Sequence, residues 1–236
     1  MKKRAFIVAL DGPSGAGKST LARELAKRLD FLWVDTGAIY RCLGLAVLRA
    51  HGKLPKQREG VLSLLPKLNM CFQPRECRVF LNEEDVSEAI RKPEVSLLTS
   101  ELSAWPEVRA ALLEYQRALA LAAPRGVILD GRDIGTVVFP DADLKFFVTA
   151  TPEERARRRQ KELAAQGVLK SFEEVLGEQE KRDLADSRRV VAPLKQAEDA
   201  RLKDTSHQSL EQAIDELERE VRRHSLFEST LSRHLC

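Results

Sequence analysis

At 236 residues the chain is long enough for one α/β core with insertions and short for two independent domains. Hydrophobic residues make up 43% and charged residues 32%, a globular balance that excludes global disorder, and 39 basic against 36 acidic residues leave a net charge of +3, too even to argue for nucleic acid. The longest apolar runs, such as Phe6 to Leu10, fall far below the roughly 18 to 20 residues of a membrane span.

The first residues, Met1 to Ala5, are basic like the start of a secretory signal, but Asp11 and a glycine-rich segment interrupt the apolar run that follows. A cytoplasmic protein is expected. Phe6 to Leu10 predicts a buried strand, and Leu21, Leu25 and Leu29 among Arg23, Glu24, Lys27 and Arg28 predict an amphipathic helix after it. The alternation repeats with a strand at Phe31 to Val34, a helix at Ile39 to Leu48, and strands at Val127 to Leu129 and Leu144 to Val148, which implies a parallel sheet. Met70 to Phe72 and Arg78 to Leu81, around a Gln73-Pro74-Arg75 turn, read as a small β insertion. Three helix starts carry a capping residue with a glutamate or glutamine three positions on: Thr151 with Glu154, Ser171 with Glu174 and Ser209 with Gln212. The last helix places Leu210, Ile214, Leu217 and Val221 on one face and should close the sheet from outside. Cys42, Cys71, Cys77 and Cys236 form no metal-ligand spacing and are expected to be reduced thiols.

Between the first strand and the first helix, Gly12-Pro13-Ser14-Gly15-Ala16-Gly17-Lys18-Ser19, followed by Thr20, fits the phosphate-binding pattern G-x-x-x-x-G-K-S/T in the strand-to-helix context it requires. Glycines let successive N–H groups turn toward phosphate oxygens, and the helix N-terminus adds its positive end. Lys18 then serves the β and γ phosphates of a bound nucleotide, and the Ser19 hydroxyl serves Mg²⁺, a pattern that kinases, switch GTPases and motor ATPases share. No N-K-x-D guanine-reading signature occurs in the chain.

Asp35 to Arg41 resembles the D-S/T-G-A-x-Y-R segment of bacterial cytidylate kinases, and Asp130 to Thr136 resembles their D-G-R-D-x-G-T segment. A third match runs from Arg182 to Arg189, followed by Pro193-Leu194 and Ala197 to Ala200, and all stand in family order over about residues 5 to 222. The resemblance implies an α/β P-loop NTPase fold of three layers, with a parallel five-stranded sheet, a small β-containing NMP-binding insertion and a helical lid. It implies one kinase domain over residues 1–236: a core at about 4–35, 124–155 and 196–222, the insertion at about 36–123 and the lid at about 156–195. It further implies ATP and Mg²⁺, CMP or dCMP as the acceptor, and a monomer that meets neither nucleic acid nor membrane.

By the same resemblance Thr36, Arg41 and Arg132 hold the acceptor phosphate; Ser100, Arg109, Asp133 and Arg189 read cytosine; Arg182 and Asp186 contact the ribose. Lys18, Arg41 and Arg132 would carry the catalytic charge. Of the run Arg155, Arg157, Arg158 and Arg159 beside the lid, Arg157 and Arg158 are the residues assigned to ATP. Asp130 ends an apolar strand either as a carboxylate that holds Mg²⁺ through water or as an ordinary turn aspartate. An aspartate at position 133 would accept from the cytosine amine and repel the carbonyl oxygen that uracil has there.

The acceptor is a phosphate monoester with a second pKa near about 6, so it needs no general base, in keeping with His51, His207, His224 and His234 lying in no motif. The rival readings are a uridylate, adenylate or shikimate kinase on the same scaffold and, in another class, a non-catalytic nucleotide or nucleic-acid binding protein. The sequence departs from the family at Glu83, where a turn glycine is usual after Asn82, at Arg201 and Lys203, which make the last strand a solvated edge, and at residues 224–236, which extend past the family's usual end.

Overall fold

A computed structural model describes residues 5–73, 76, 78–165 and 167–227. In chain order it contains β1 (Phe6–Asp11), α1 (Lys18–Leu29), β2 (Leu32–Asp35), α2 (Thr36–His51), α3 (Arg58–Leu62), β3 (Met70–Gln73), β4 (Arg78–Leu81), β5 (Glu84–Asp85), α4 (Pro93–Leu102), α5 (Pro106–Leu121), β6 (Gly126–Asp130), β7 (Leu144–Thr149), α6 (Pro152–Ala165), α7 (Phe172–Arg188), β8 (Arg201–Asp204) and α8 (Leu210–Arg222). The chain divides into two compact units, residues 1–33 with 122–236 and residues 34–121.

The first unit is built on a five-stranded sheet in the order β2-β6-β1-β7-β8. β1 pairs in parallel with β6 on one side and β7 on the other, and β7 pairs in parallel with β8. Every residue of β1 and β6 is buried, as a central strand covered on both faces must be. β8 is the opposite case: Arg201, Leu202 and Asp204 are exposed, and Glu216 and Glu220 of α8 pair with Lys203 while Glu220 also takes Arg201. The solvated edge expected from its sequence is therefore a strand whose cations are neutralised by one helix.

The fully formed capping boxes are at Ser171 and Ser209. At Thr151 the hydroxyl accepts from the Glu154 N–H at 3.3 Å, but Glu154 does not reach back, because the Thr151 N–H already donates to Ser206 Oγ at 2.8 Å. Glu154 accepts instead from Arg158 at 3.0 Å. On α8, Ala213, Ile214, Leu217 and Val221 are buried, whereas Leu210 at its start is 47% exposed. Arg28 of α1 ties this helix down through Glu211, Asp215 and Glu218.

Past the expected end of the family's chain, Phe227 is buried, its ring centroid 6.3 Å from Phe6 and 6.0 Å from Phe31, and His224 meets Phe6 edge-on at 5.2 Å, while Ser225 and Leu226 are exposed. The rest of that extension lies outside the described residues.

The second unit, residues 34–121, closes a core of Ala38, Cys42, Leu45, Val79, Leu81, Val86, Ile90 and Val95. α2 lies close against α4 because Gly44 leaves room for Thr99, whose Oγ1 would be 2.4 Å from a Cβ at position 44. The three-stranded antiparallel sheet β3-β4-β5 confirms the small β element. Its β4–β5 turn sets Asn82 at φ 50° and Glu83 at φ 69°, so a glutamate occupies the left-handed position that usually takes glycine. Pro74 and Arg75 of the expected turn lie outside the described residues.

In the sheet unit, a Cβ on Gly126 would stand 2.4 to 2.6 Å from three atoms of the Phe31 ring. Overpacking of this kind costs about 1–3 kcal/mol. Gly126→Ala should lower the unfolding free energy by that amount in urea titration; a change below about 0.5 kcal/mol would show that Phe31 swings aside freely.

Candidate active site

The loop from Gly12 to Gly17 is shaped by what surrounds it. Gly12 has φ +145°, and a Cβ there would lie 1.9 Å from the Val148 carbonyl of β7, so only glycine lets the loop leave β1 along this path. Gly17, at φ 85°, sets the left-handed bend that opens α1. The loop is held from outside. Arg155 of α6 donates from Nη1 to the Ser14 carbonyl at 3.0 Å and also to Asp183, Thr205 Oγ1 donates to the Ala16 carbonyl at 3.3 Å, and the Ser14 N–H donates to Asp183 Oδ1 at 3.4 Å.

Lys18 is buried, and its Nζ donates to the Pro13 carbonyl at 2.6 Å. Burial, reinforced by the nearby Arg132 charge, pushes its pKa well below the usual lysine value; Asp130 and Asp11 oppose that shift, and Arg182 adds to it. Ser19 Oγ donates to Asp130 Oδ2 at 2.6 Å, and Trp33 Nε1 donates to Asp130 Oδ1 at 2.8 Å. A hydroxyl and a carboxylate oxygen thus lie side by side, with Ser19 itself exposed. Hard oxygen donors of this kind suit Mg²⁺, which keeps several waters and takes phosphate oxygens. No cluster of three or more His, Cys, Asp or Glu suited to a metal occurs among the described residues.

Asp11 ends β1 and accepts from the N–H groups of Ile134 at 2.8 Å and Gly135 at 2.7 Å. These bonds fix the wide turn of residues 134–138, immediately after Arg132 and Asp133. Burial nevertheless pushes the Asp11 carboxyl up to about 6, against the two backbone bonds that favour its ionised form. Arg132 donates from Nε to Asp186 Oδ2 at 2.9 Å and from Nη1 to the Gly131 carbonyl at 3.1 Å. Arg189 lies 3.5 Å from Asp186 Oδ1. Burial of Asp186 raises its pKa, but the charges of Arg132, Arg189 and Arg182 together outweigh it and hold the carboxyl below its usual value. Asp133 is buried, its carbonyl accepting from Val137 and Val138.

In the sheet unit, then, Lys18, Ser19, Asp130, Arg132, Asp186 and Arg189 form one linked group. Of the two arginines assigned to ATP, Arg158 sits beside the phosphate loop, with Nη1 3.7 Å from where a Cβ of Gly17 would be and donating to Thr205 Oγ1 at 3.1 Å. Arg157 faces the other way, 61% exposed and over the Phe172 ring.

The second unit holds two separate groups. Thr36 is the buried first residue of α2; Asp35 caps that helix by accepting from Ala38 N–H at 2.9 Å and pairs with Arg41 at 3.2 Å, with Arg91 at 3.8 Å. Arg41 Nε is buried without a hydrogen-bond acceptor. On α4 and α5, Ser100 and Arg109 meet through Ser103, whose hydroxyl donates to the Ser100 carbonyl at 2.9 Å and whose carbonyl accepts from Arg109 at 3.1 Å. The Arg109 guanidinium lies 5.6 Å from the Tyr40 ring centroid.

A profile of the family described as cytidylate kinase matches residues 8–223. Cytidylate kinases of Syntrophotalea carbinolica, over 91% of this chain and 91% of its own, and of Geobacter sulfurreducens, over 93% and 94%, are each 48% identical to it. The chain belongs to the cytidylate kinase family. A solved structure of an uncharacterised protein from Eubacterium ventriosum shares the fold alone, with a TM-score of 0.51 at 11% identity over 92% of this chain and 99% of that one. Membership of a kinase family brings ATP as co-substrate and nucleotides as ligands, and every candidate site residue falls inside the matched span.

Sequence reasoning passed over Asp11, Trp33, Asp183 and Thr205, and chose Arg157 rather than Arg155 from the arginine run. Two of these carried a signal: Asp11 is a carboxylate closing a wholly apolar strand, and Asp183 stands four residues after Gln179 and three before Asp186 on one helix face.

Because the Asp11 carboxyl is raised in the folded state, the native protein binds the extra proton between about pH 4 and pH 6. Its contribution to stability is present below the unfolded pKa and is lost as pH rises through about 6. Relative to Asp11→Asn, the wild type should lose about 2–3 kcal/mol of unfolding free energy across that window. A difference that stays flat from pH 4 to pH 7 in denaturant titrations without nucleotide would show that Asp11 stays ionised throughout.

Proposed function

We propose that the protein transfers the γ-phosphoryl group of ATP to CMP or dCMP, giving ADP and CDP or dCDP. The observation that carries this reading is the family match over residues 8–223, which includes the phosphate-binding loop and the Asp130–Thr136 segment, and the repulsion between Lys18 and Arg132 fits it. Two polyanions repel as they approach, and fixed cations on both sides of the transferring group offset that repulsion and the charge of the transition state.

In this reading Lys18 and the loop of Gly12, Pro13, Ser14, Gly15, Ala16, Gly17, Ser19 and Thr20 take the triphosphate of ATP, with Arg158 beside them. Lys18 gives up its bond to the Pro13 carbonyl in favour of phosphate oxygens, whose charge restores the ammonium that burial disfavours. In the sheet unit Arg132 orients the acceptor phosphate, while Asp133 and Arg189 read the base and Arg182 and Asp186 the ribose. In the other unit Thr36 and Arg41 bind phosphate, and Ser100 and Arg109 bind cytosine. The acceptor phosphate is dianionic at neutral pH and attacks without a general base. Ser19, and Asp130 through water, would hold Mg²⁺, which supplies further charge neutralisation to the phosphate oxygens when bound. Residues of about 156–195, where α6 and α7 pack through Ala156, Leu163 and Val175, serve as the lid that excludes water. The protein works as a cytoplasmic monomer on small nucleotides.

A coupled assay of ADP formation across nucleoside monophosphates tests the reading, with CMP and dCMP expected to exceed UMP and AMP in kcat/KM. Lys18→Ala should lower turnover with CMP by roughly a hundredfold or more while the protein stays folded; retention of over half the rate would remove the loop from the chemistry. Asp133→Asn should narrow the CMP over UMP preference by more than about tenfold, since asparagine can donate to the uracil oxygen that aspartate repels. A ratio within about twofold of wild type in a folded variant would take base reading away from Asp133.

A further inference from the structure

On α7, Gln179, Arg182, Asp183 and Asp186 recur at helical spacing and so share a face. Gln179 Nε2 donates to the Arg155 carbonyl at 3.3 Å and stands 2.7 Å from where a Cβ of Gly15 would be. Asp183 accepts from the Ser14 N–H at 3.4 Å and from Arg155 Nη1, and that same nitrogen donates to the Ser14 carbonyl at 3.0 Å. Both polar groups of the Ser14 backbone are therefore held by one ion pair. One helical turn on, Asp186 holds Arg132 at 2.9 Å and Arg189 at 3.5 Å. A rise of about 1.5 Å per residue separates the two carboxylates by only about 4.5 Å along the axis.

The Asp186 carbonyl also accepts from the Leu194 N–H at 2.8 Å. The apolar packing of α7 lies in its first half, where Val175 is buried with Ala156 and Leu163 and Phe172 and Leu176 pack against them, while Leu184 in the second half is 49% exposed. The C-terminal half of the helix carries polar ties to the phosphate loop at one point and to Arg132 and Arg189 at the next. The Arg155 and Asp183 side chains are 7% and 20% exposed, so a displacement of the loop is passed to the helix more than it is absorbed by solvent.

We propose that Asp183 is a positioning residue that couples the phosphate-binding loop to the acceptor arginines through α7, so that occupying either tightens the other. The proposal rests on the acceptor reading given above for Arg132 and Arg189. The ordering cost of α7 is met by the first ligand, and the second then binds a helix already fixed; by linkage the gain is the same in either order. Were Asp183 present only to neutralise Arg155, its loss would lower stability and leave the coupling intact.

The test is calorimetric titration of CMP into the full chain, alone and with the β,γ-imido analogue of ATP plus Mg²⁺. Wild-type affinity for CMP should rise at least about fivefold with the analogue, and in Asp183→Asn the gain should fall below about twofold. Affinity for each ligand alone should change less than the gain does. Arg155→Lys keeps the charge but cannot span Asp183, the Ser14 carbonyl and the Ala150 carbonyl together, and should lose the coupling likewise. Asp183→Glu, which keeps the ion pair, should retain it. A folded Asp183→Asn with the wild-type gain overturns the proposal. A wild type that phosphorylates CMP without any gain overturns the coupling while leaving the acceptor reading in place; one that neither binds nor phosphorylates CMP overturns the acceptor reading, and the coupling falls with it.

Discussion

Lys18 is an ammonium enclosed at the N-terminus of a helix, and three effects act against its charge there. It is removed from water, it faces the positive end of α1, and Arg132 and Arg182 lie near enough to repel it. Asp11 and Asp130 offset only part of this, and each is committed elsewhere: Asp11 to two backbone N–H groups, Asp130 to Ser19 and Trp33. A polyphosphate reverses all three effects at once. The carboxylates that could neutralise Lys18 are thus fixed by other bonds, and the cationic surface remains available to an anionic ligand.

That arrangement needs a loop which does not collapse onto its own charges. Gly12 is wedged against the Val148 carbonyl, and the outer carbonyls of Ser14 and Ala16 are taken by Arg155 and Thr205. The supporting residues come from β7, α6, α7 and the segment after β8, so the loop's shape is a property of the whole sheet unit. Preorganisation of this kind lets donors act on developing charge without a reorganisation cost at the moment of reaction.

Local patterns in the sequence reached as far as local physics does. The buried β1, the glycine spacing and the start of α1 were legible because each is written within a dozen residues. So were the boxes at Ser171 and Ser209, whose partners are three residues away. Thr151 matched the same pattern, but Ser206, far along the chain, had already taken its N–H. The arginine run in α6 shows the same limit: rotation of the helix against the loop buries Arg155 and turns Arg157 to solvent, and no spacing rule reveals which side faces inward. Phe227 lay past the family's expected end, and its burial depends on Phe6 and Phe31, some two hundred residues earlier in the numbering. The motif residues themselves were named by resemblance, since the pairing of Asp186 with Arg132 spans β6 and α7.

Two aspartates in the same unit carry opposite shifts, and the contrast separates their work. Asp11 receives neutral backbone donors that do not repay its desolvation, so its pKa rises to about 6. Asp186, also buried, faces three guanidinium groups and stays below the ordinary carboxylate range. One of its oxygens is bonded to Arg132 and the other lies beside Arg189, so its first effect is to set the spacing of those two cations. A guanidinium has five N–H donors, and the bonds from Arg132 to Asp186 and to the Gly131 carbonyl engage two of its nitrogens, Nε and Nη1. The Nη2 edge is left out of both bonds. An arginine aligned by one edge in this way meets a phosphate with its remaining donors already oriented, which is the use a rigid fork has over a flexible ammonium.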